Sequence, residues 1–189
     1  MLNSIALDKI RKPGTRASIF VFDLLRESDR DFLMQWLNSK QLCWVHMAPV
    51  CGTASRARDI PRKGAPKPLR SSEFPLGFEW LEGQDRERVA AANQLFEFSC
   101  RIFALCVQKG ILVTMENPRS SYFWITLLEL MTRCRLSCSD FQVCMLGSSR
   151  DKWTRILASF EAITELDIEC DKKHTHAPWG KTLPHSVGH

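Results

Sequence analysis

Val45-His46-Met47-Ala48-Pro49-Val50-Cys51-Gly52-Thr53-Ala54-Ser55-Arg56-Ala57-Arg58-Asp59 is the stretch on which the fold turns. The apolar run from Cys43 to Met47 predicts a buried strand, stopped by Pro49, which has no N–H to give to a sheet ladder. The next residues form a loop at a strand's end that carries one thiol, two hydroxyls, the permissive Gly52 and two arginines. Ligands bind outside strand ends in open α/β sheets, so Cys51 is the provisional centre of the chemistry. The competing reading is a thiol that only packs where the strand stops.

Working outward, Ser4 to Asp8 and Ile19 to Asp23 are short apolar runs that each stop at an acid, and both read as strands tipped with a carboxylate. Such carboxylates suit ribose hydroxyls or an adenine amine, although Asp at a strand end also serves as a cap or turn residue. Ser28 is the expected cap of a helix whose apolar positions are Phe32, Leu33, Trp36 and Leu37. A long helix from Asp85 to Lys109 follows from Val89, Ala92, Leu95, Phe96, Ile102, Phe103, Cys106 and Val107, with Gly110 as its stop. Ile111 to Met115 is a strand that runs into Glu116-Asn117-Pro118-Arg119-Ser120-Ser121. Ser120 or Ser121 caps a further helix through Phe123, Trp124, Leu127, Leu128 and Met131. Phe141 to Met145 and Thr154 to Ser159, with Gly147-Ser148-Ser149 between them, predict an antiparallel hairpin at one sheet edge. Strands alternating with helices give an α/β fold with a mostly parallel sheet.

Composition limits the alternatives. The chain has 189 residues, 44% of them hydrophobic, enough for one domain with a sizeable core. Its net charge of +5, from 26 basic and 21 acidic residues, is a mild bias toward polyanions. No apolar run approaches the roughly 20 residues of a membrane span. The eight cysteines follow no signal-like start, so reduced thiols in an intracellular protein are expected, the nucleus included. The segment at about 59–83 is rich in proline and cations (Pro61, Arg62, Lys63, Pro66, Lys67, Pro68, Arg70, Pro75) and has no period. It reads as a long mobile loop, either a solvated insertion or a basic lid that lies along phosphates.

Two other groupings stand out. Cys170, His174 and His176 lie close in sequence, with Cys134, Cys138 and Cys144 upstream, and zinc uses such ligands. None of the spacings is a clean Cys-x-x-Cys pair, so the segment is read as a polar turn and no metal is assigned. Six tryptophans, including Trp36, Trp80, Trp124 and Trp153, sit mostly where a core would use them rather than where bases would stack.

Taken in order, Pro49-Val50-Cys51 with Thr53, Ser55 and Arg56, then Glu116-Asn117-Pro118, then Gly147 to Lys152 with Thr154-Arg155, resembles the motif series of cytosine-5 DNA methyltransferases. The run Ala48 to Arg58, with Glu116 to Ser121, is similar to divergent methyltransferase-like reading frames of retroelement-type polyproteins. The resemblance covers Ser4 to Trp179. It implies a Rossmann-like methyltransferase sheet that uses S-adenosylmethionine and takes nucleic acid, DNA above all, as partner. By the same resemblance Cys51 is the nucleophile, Glu116 the acid that holds the base, and Arg155 a basic group beside it. Asp8, Asp23 and Pro49 would contact the cofactor, and Ser55, Arg56, Arg58, Arg150 and Lys152 the nucleic acid. Val50 stands where the family has proline, and the gap between Cys51 and Glu116 is long. The chain would also begin at the family's second strand, the first strand with its glycine-rich turn missing, which implies a single domain incomplete at both ends. Two further functions stay open: a non-catalytic nucleic-acid-binding or decayed domain, and a thiol hydrolase pairing Cys51 with His46 or His174.

Overall fold

The structure, a computed structural model, describes residues 5–9, 18–39, 42–61, 63–127 and 136–178. The chain divides into two units, Met1–Cys43 and Trp44–His189.

In the first unit, β1 (Ile5–Asp8) and β2 (Ser18–Val21) pair in parallel, with Asp8 opposite Val21. Strand β2 stops two residues before Asp23 because that residue turns the chain. Its carboxylate accepts the Leu25 N–H at 3.2 Å and its carbonyl accepts the Arg26 N–H at 2.7 Å. Helix α1 (Glu27–Ser39) comes next, with Glu27 and Asp29 in the first turn, where the helix dipole favours negative charge. Leu33 and Leu37 are its buried residues, one turn apart. The expected cap, Ser28, instead lies inside the first turn. The Asp29 carboxylate does the tethering, accepting the Asp23 N–H at 2.8 Å.

The second unit holds β3 (Trp44–Met47), a 3-10 turn (Arg56–Asp59), α2 (Gly83–Gln108), β4 (Leu112–Pro118), α3 (Phe123–Thr126), β5 (Ser137–Gln142), β6 (Trp153–Ala158) and a 3-10 segment (Glu161–Leu166). Its sheet has the order β3-β4-β6-β5. Strands β3 and β4 are parallel with α2 as the crossover, and β6 runs antiparallel to both β4 and β5. The fold is therefore mixed α/β. Of the four described strand pairings two are parallel and two antiparallel, rather than mostly parallel.

Strand β3 is the sheet's edge, and this reverses the expectation that it is buried: Cys43 and Trp44 are exposed. Interior strand β4 carries the sealed residues, with Val113 and Met115 fully buried, and α2 packs against it. The buried stripe of α2 is Val89, Ala92, Phe96, Phe98, Ile102, Phe103 and Cys106. Gly110, at φ +69°, ends the helix as expected. The Gly110 N–H reaches the Val107 carbonyl and the Ile111 N–H the Cys106 carbonyl, the paired bonds of a Schellman stop.

The late hairpin is present, but β5 begins earlier than its apolar residues suggest. Val143–Leu146 curls into a 3-10 turn closed by Gly147 at φ +91°. Phe141, Ile156, Ala158 and Ile163 form a core on one face, joined by Val143, Phe160, Leu166 and Ile168. In α3 the Ser121 hydroxyl accepts the Phe123 N–H at 3.2 Å; Leu128 and Met131 lie outside the described residues.

The basic segment after Asp59 departs most from expectation. It is anchored, and its anchor is Arg70, only 1% exposed. The guanidinium donates to the Pro75 carbonyl (2.7 Å), Asn93 Oδ1 (2.7 Å), Thr53 Oγ1 (2.9 Å) and the Val89 carbonyl (3.5 Å), with the Phe96 ring 5.2 Å away. Burial lowers its pKa to about 10, which still leaves it charged at neutral pH. Asn93 also donates to the Leu76 carbonyl, and the Phe78 N–H bonds the Leu69 carbonyl. Arg70 is thus a structural donor rather than a cation set along a phosphate backbone.

Replacing Arg70 by methionine should cost about 3 kcal/mol, because several buried acceptors lose their donor together. Urea unfolding of the reduced chain measures this, and an unchanged midpoint would contradict the anchoring role. Gly77→Ala should also cost about 2 kcal/mol. At φ +112° a side chain is strained, and the new Cβ would lie 2.5 Å from Val89 Cγ1. A Gly77→Ala protein as stable as the parent would show that α2 can move away.

Candidate active site at the ends of β3 and β4

Because β3 and β4 run parallel with Met47 opposite Met115, the loop that holds Cys51 leaves the sheet at the end toward which β4 carries Glu116; β4 does not stop at Met115 as its apolar run suggests but continues through Pro118, paired with β6. The loop is built from backbone bonds. The Cys51 carbonyl accepts the N–H groups of Ala54 (3.0 Å) and Ser55 (2.8 Å). Ala54 is fully buried, and its carbonyl accepts the Tyr122 N–H (2.9 Å) and the Ser121 hydroxyl (3.3 Å). Asn117 Nδ2 donates to the Pro49 carbonyl at 3.0 Å. Thr53 Oγ1 is held by the Arg70 guanidinium. Val50 is exposed, so the restraint that a second proline would give is supplied by these bonds to the residues after β4. Cys51 itself is half-buried.

Glu116 shares a sheet face with Trp44, His46 and Thr114, since alternate residues of a strand point the same way and β3 and β4 are in register. Thr114 Oγ1 lies 3.0 Å from Trp44 Nε1 and 2.9 Å from His46 Nδ1. The indole only donates, so the hydroxyl accepts from it. His46 Nε2 faces Glu116 Oε2 at 3.8 Å. Sequence reasoning treated His46 only as a base for Cys51. Its place beside Glu116 is signalled by the i, i+2 spacing of Trp44 with His46 and of Thr114 with Glu116, once the strands are known to be neighbours. Among the described residues, neither His46 nor His174 is hydrogen-bonded to the Cys51 thiol.

Arg155 is not brought to Glu116. In the β4–β6 ladder Glu116 lies opposite Ile156 and Arg155 opposite Asn117, so the two side chains leave opposite faces of the sheet. Arg155 instead forms a two-pronged pair with Asp140 on β5, at 2.7 and 2.8 Å, and Arg119 reaches the same carboxylate at 3.0 Å while lying over the Trp153 ring. The bond to Asp140 holds the Arg155 pKa above the ordinary arginine value, with burial opposing it.

Of the other expected nucleic-acid contacts, Ser55, Arg56 and Arg58 are also engaged within the fold. Ser55 Oγ accepts the Ala57 N–H. Arg56 pairs with Asp59 at 3.2 Å and lies over the Tyr122 ring, whose hydroxyl donates to Asp59 at 2.7 Å. Burial, then Asp59, pushes the Tyr122 phenol upward. Arg58 donates to the carbonyls of Gly52 (2.6 Å) and Lys67 (2.9 Å). Arg150 and Lys152 are half-buried in the turn between β5 and β6. In the first unit, Asp8 and Asp23 stand at the tips of adjacent parallel strands, and Asp23 is held below the usual carboxylate range by Lys9, 3.0 Å away, and by the Leu25 N–H.

Two surface grooves lie elsewhere. One is lined by Leu76, Phe78, Leu81, Val89 and Asn93 between the anchored loop and α2, the other by Arg119, Asp140, Trp153, Asp167 and Glu169. Neither includes Cys51 or Glu116. Among the described residues no helix is long and apolar enough to cross a membrane.

Compared with protein-family models, with curated proteins and with solved structures, the chain matches none.

The seven described cysteines are all unpaired, and their surroundings differ. Burial pushes the thiols of Cys100 and Cys106 to about 11, so both stay protonated and inert near neutrality. In native, reduced protein at pH 8, iodoacetamide should label Cys43 and Cys51 well before Cys100 and Cys106, as read by peptide mass mapping. Labelling of Cys106 at the rate of Cys43 would contradict this packing.

Proposed function

We propose that the chain is a Rossmann-like domain of the cytosine-5 methyltransferase type, which transfers a methyl group from S-adenosylmethionine to cytosine in nucleic acid or derives from an enzyme that did. The observation that carries this reading is that the Cys51 loop leaves β3 at the end of the sheet where its parallel neighbour β4 carries Glu116 near the end of its ladder, with the loop locked by Asn117, Ser121 and Tyr122. Cytosine C5 is a poor nucleophile. A Cys51 thiolate adding to C6 moves the electron pair to C5, which attacks an electrophilic methyl carbon as a neutral thioether leaves; loss of the C5 proton to a solvent base then expels the Cys51 thiolate and restores the ring. Glu116, steadied by His46, serves the ring nitrogen and exocyclic amine as charge develops there. A base reaches such a site only when turned out of its stack.

Asp8 and Asp23 are the carboxylates suited to the cofactor's ribose and adenine. Each Asp23 oxygen has one bond, to the Leu25 N–H or to Lys9, and keeps a lone pair for a ligand donor. The bound cofactor supplies the electrophilic methyl.

A second reading, a catalytically inactive nucleic-acid-binding domain, is favoured by one observation: Arg155 is paired with Asp140 on the face opposite Glu116. The thiol-hydrolase reading loses support, because His46 faces Glu116 and His174 faces Cys170.

Incubation with an oligonucleotide carrying 5-fluorocytosine and S-adenosylmethionine separates the readings. The methyl-transfer reading expects a covalent protein–DNA adduct on denaturing gels, lost in Cys51→Ser and slowed about 100-fold in Glu116→Gln. Retained DNA binding without any adduct would favour the inactive domain. An adduct that survives Cys51→Ser would remove Cys51 from the chemistry.

A further inference from the structure

We infer that Cys144, Cys170, His174 and His176 form a structural zinc site. Their four ligand atoms lie within 4.8 Å of one another. Cys170 Sγ is 3.7 Å from His174 Nε2 and 3.5 Å from His176 Nε2, and the two Nε2 atoms are 3.1 Å apart. A tetrahedral ion with Zn–S of about 2.3 Å and Zn–N of about 2.0 Å has S···N edges of about 3.5 Å and an N···N edge of about 3.3 Å. Cys170, His174 and His176 already stand close to those edges, and Cys144 lies within reach as the fourth ligand. Two sulfurs and two imidazoles in a tetrahedral arrangement select zinc over the oxygen-seeking cations.

The surroundings are those of a metal site rather than of a polar turn. The Lys172 N–H donates to Cys170 Sγ at 3.3 Å, an outer hydrogen bond of the kind that orients a ligating sulfur. Asp171 Oδ1 lies 3.4 Å from His174 Nδ1, the carboxylate–histidine arrangement that orients a ligating ring whose Nε2 faces the cluster. Lys172 takes the left-handed conformation, φ 59°, that turns the chain back between Cys170 and His174. Both sulfurs are buried while the imidazoles reach the surface, which provides an entry path.

The sequence concealed the site because its fourth ligand is distant. Cys144 sits in the 3-10 turn after β5; Cys138, upstream like it, is not in the cluster, and Cys134 lies outside the described residues. The two segments are stitched together independently of any ion. Gln142 N–H donates to the Ile168 carbonyl (2.9 Å), the Cys170 N–H to Gln142 Oε1 (2.8 Å) and the Ala177 N–H to the Ser149 carbonyl (2.7 Å). With four protein ligands there is no open position for a substrate, so the ion's role is to pin residues 168–177 to the turn that ends β5.

The test is metal analysis of the full chain, purified under reducing conditions from zinc-supplemented cells. One zinc per chain is expected by inductively coupled plasma mass spectrometry, falling below a tenth in Cys170→Ser and His176→Gln and unchanged in Cys43→Ser. Because the ligand variants could misfold, stripped wild-type protein is also titrated with Co²⁺. A 1:1 end point with a sulfur-to-cobalt charge-transfer band and tetrahedral visible bands supports the site. Zinc that persists in both ligand variants, wild type that takes up neither zinc nor cobalt, or a Cys144–Cys170 disulfide in the reduced preparation would each overturn it.

Discussion

A buried guanidinium without a carboxylate governs the second unit. Arg70 has no ion-pair partner among the described residues; every bond it makes is to a neutral oxygen. A lone buried charge is costly, and Arg70 is tolerable only because several oriented acceptors replace water around it. Those acceptors come from three places: Thr53 in the Cys51 loop, Pro75 in the long connection, and Val89 and Asn93 on α2. The side chain therefore sets where the connection runs relative to both the helix and the loop. Arg58 repeats the device in a more exposed setting, capping the carbonyls of Gly52 and Lys67. A connection without helix or strand leaves backbone carbonyls unpaired, and arginine, with five donors in one plane, is the side chain that can gather them.

That use of cations explains where sequence reasoning succeeded and where it stopped. The strands, α2 and its glycine stop, and the late hairpin were legible because each depends on local pattern: alternation, helical spacing, a left-handed residue after the last turn. The burial of Arg70 was not legible, since an arginine in a proline-rich run reads the same whether it meets water, phosphate or carbonyls. Strand β3 looked buried because its residues are apolar, yet it is an edge, and edge position is a property of the strand order. The β5 boundary slipped for a related reason. Phe141 and Val143 belong to one apolar core, and hydrophobicity alone does not reveal that the backbone leaves the ladder after Gln142.

The candidate site was legible in part. Cys51 and Glu116 were marked by the ends of apolar runs, and the parallel register of β3 and β4 places the Cys51 loop at the end of the sheet toward which β4 carries Glu116. The partners that shape them were not marked. His46 reaches Glu116 through a face shared across two strands, and the clamp on the Cys51 loop comes from Asn117, Ser121 and Tyr122, whose contacts span more than sixty residues of sequence. The four ligands of the Cys144 cluster were hidden for the same reason, since three are local and the fourth is contributed by the turn after β5.

Register decides the remaining question about charge. In an antiparallel pair, one residue of displacement along a strand moves a side chain to the other face. Arg155 is one position from Ile156, the residue opposite Glu116, and that single position separates it from the acid. On its own face it meets Asp140, directly across the β5–β6 ladder, and the carboxylate is shared with Arg119. Asp167 and Glu169 line the same groove as Arg119 and Asp140, so the two arginines there are balanced by acids, while the Glu116 face carries an acid, an imidazole and an indole and no arginine among its described strand residues. The alternation of residues along β4 and β6 thus keeps the Arg155 guanidinium and the Glu116 carboxylate on opposite faces of the same sheet, each with its own partner.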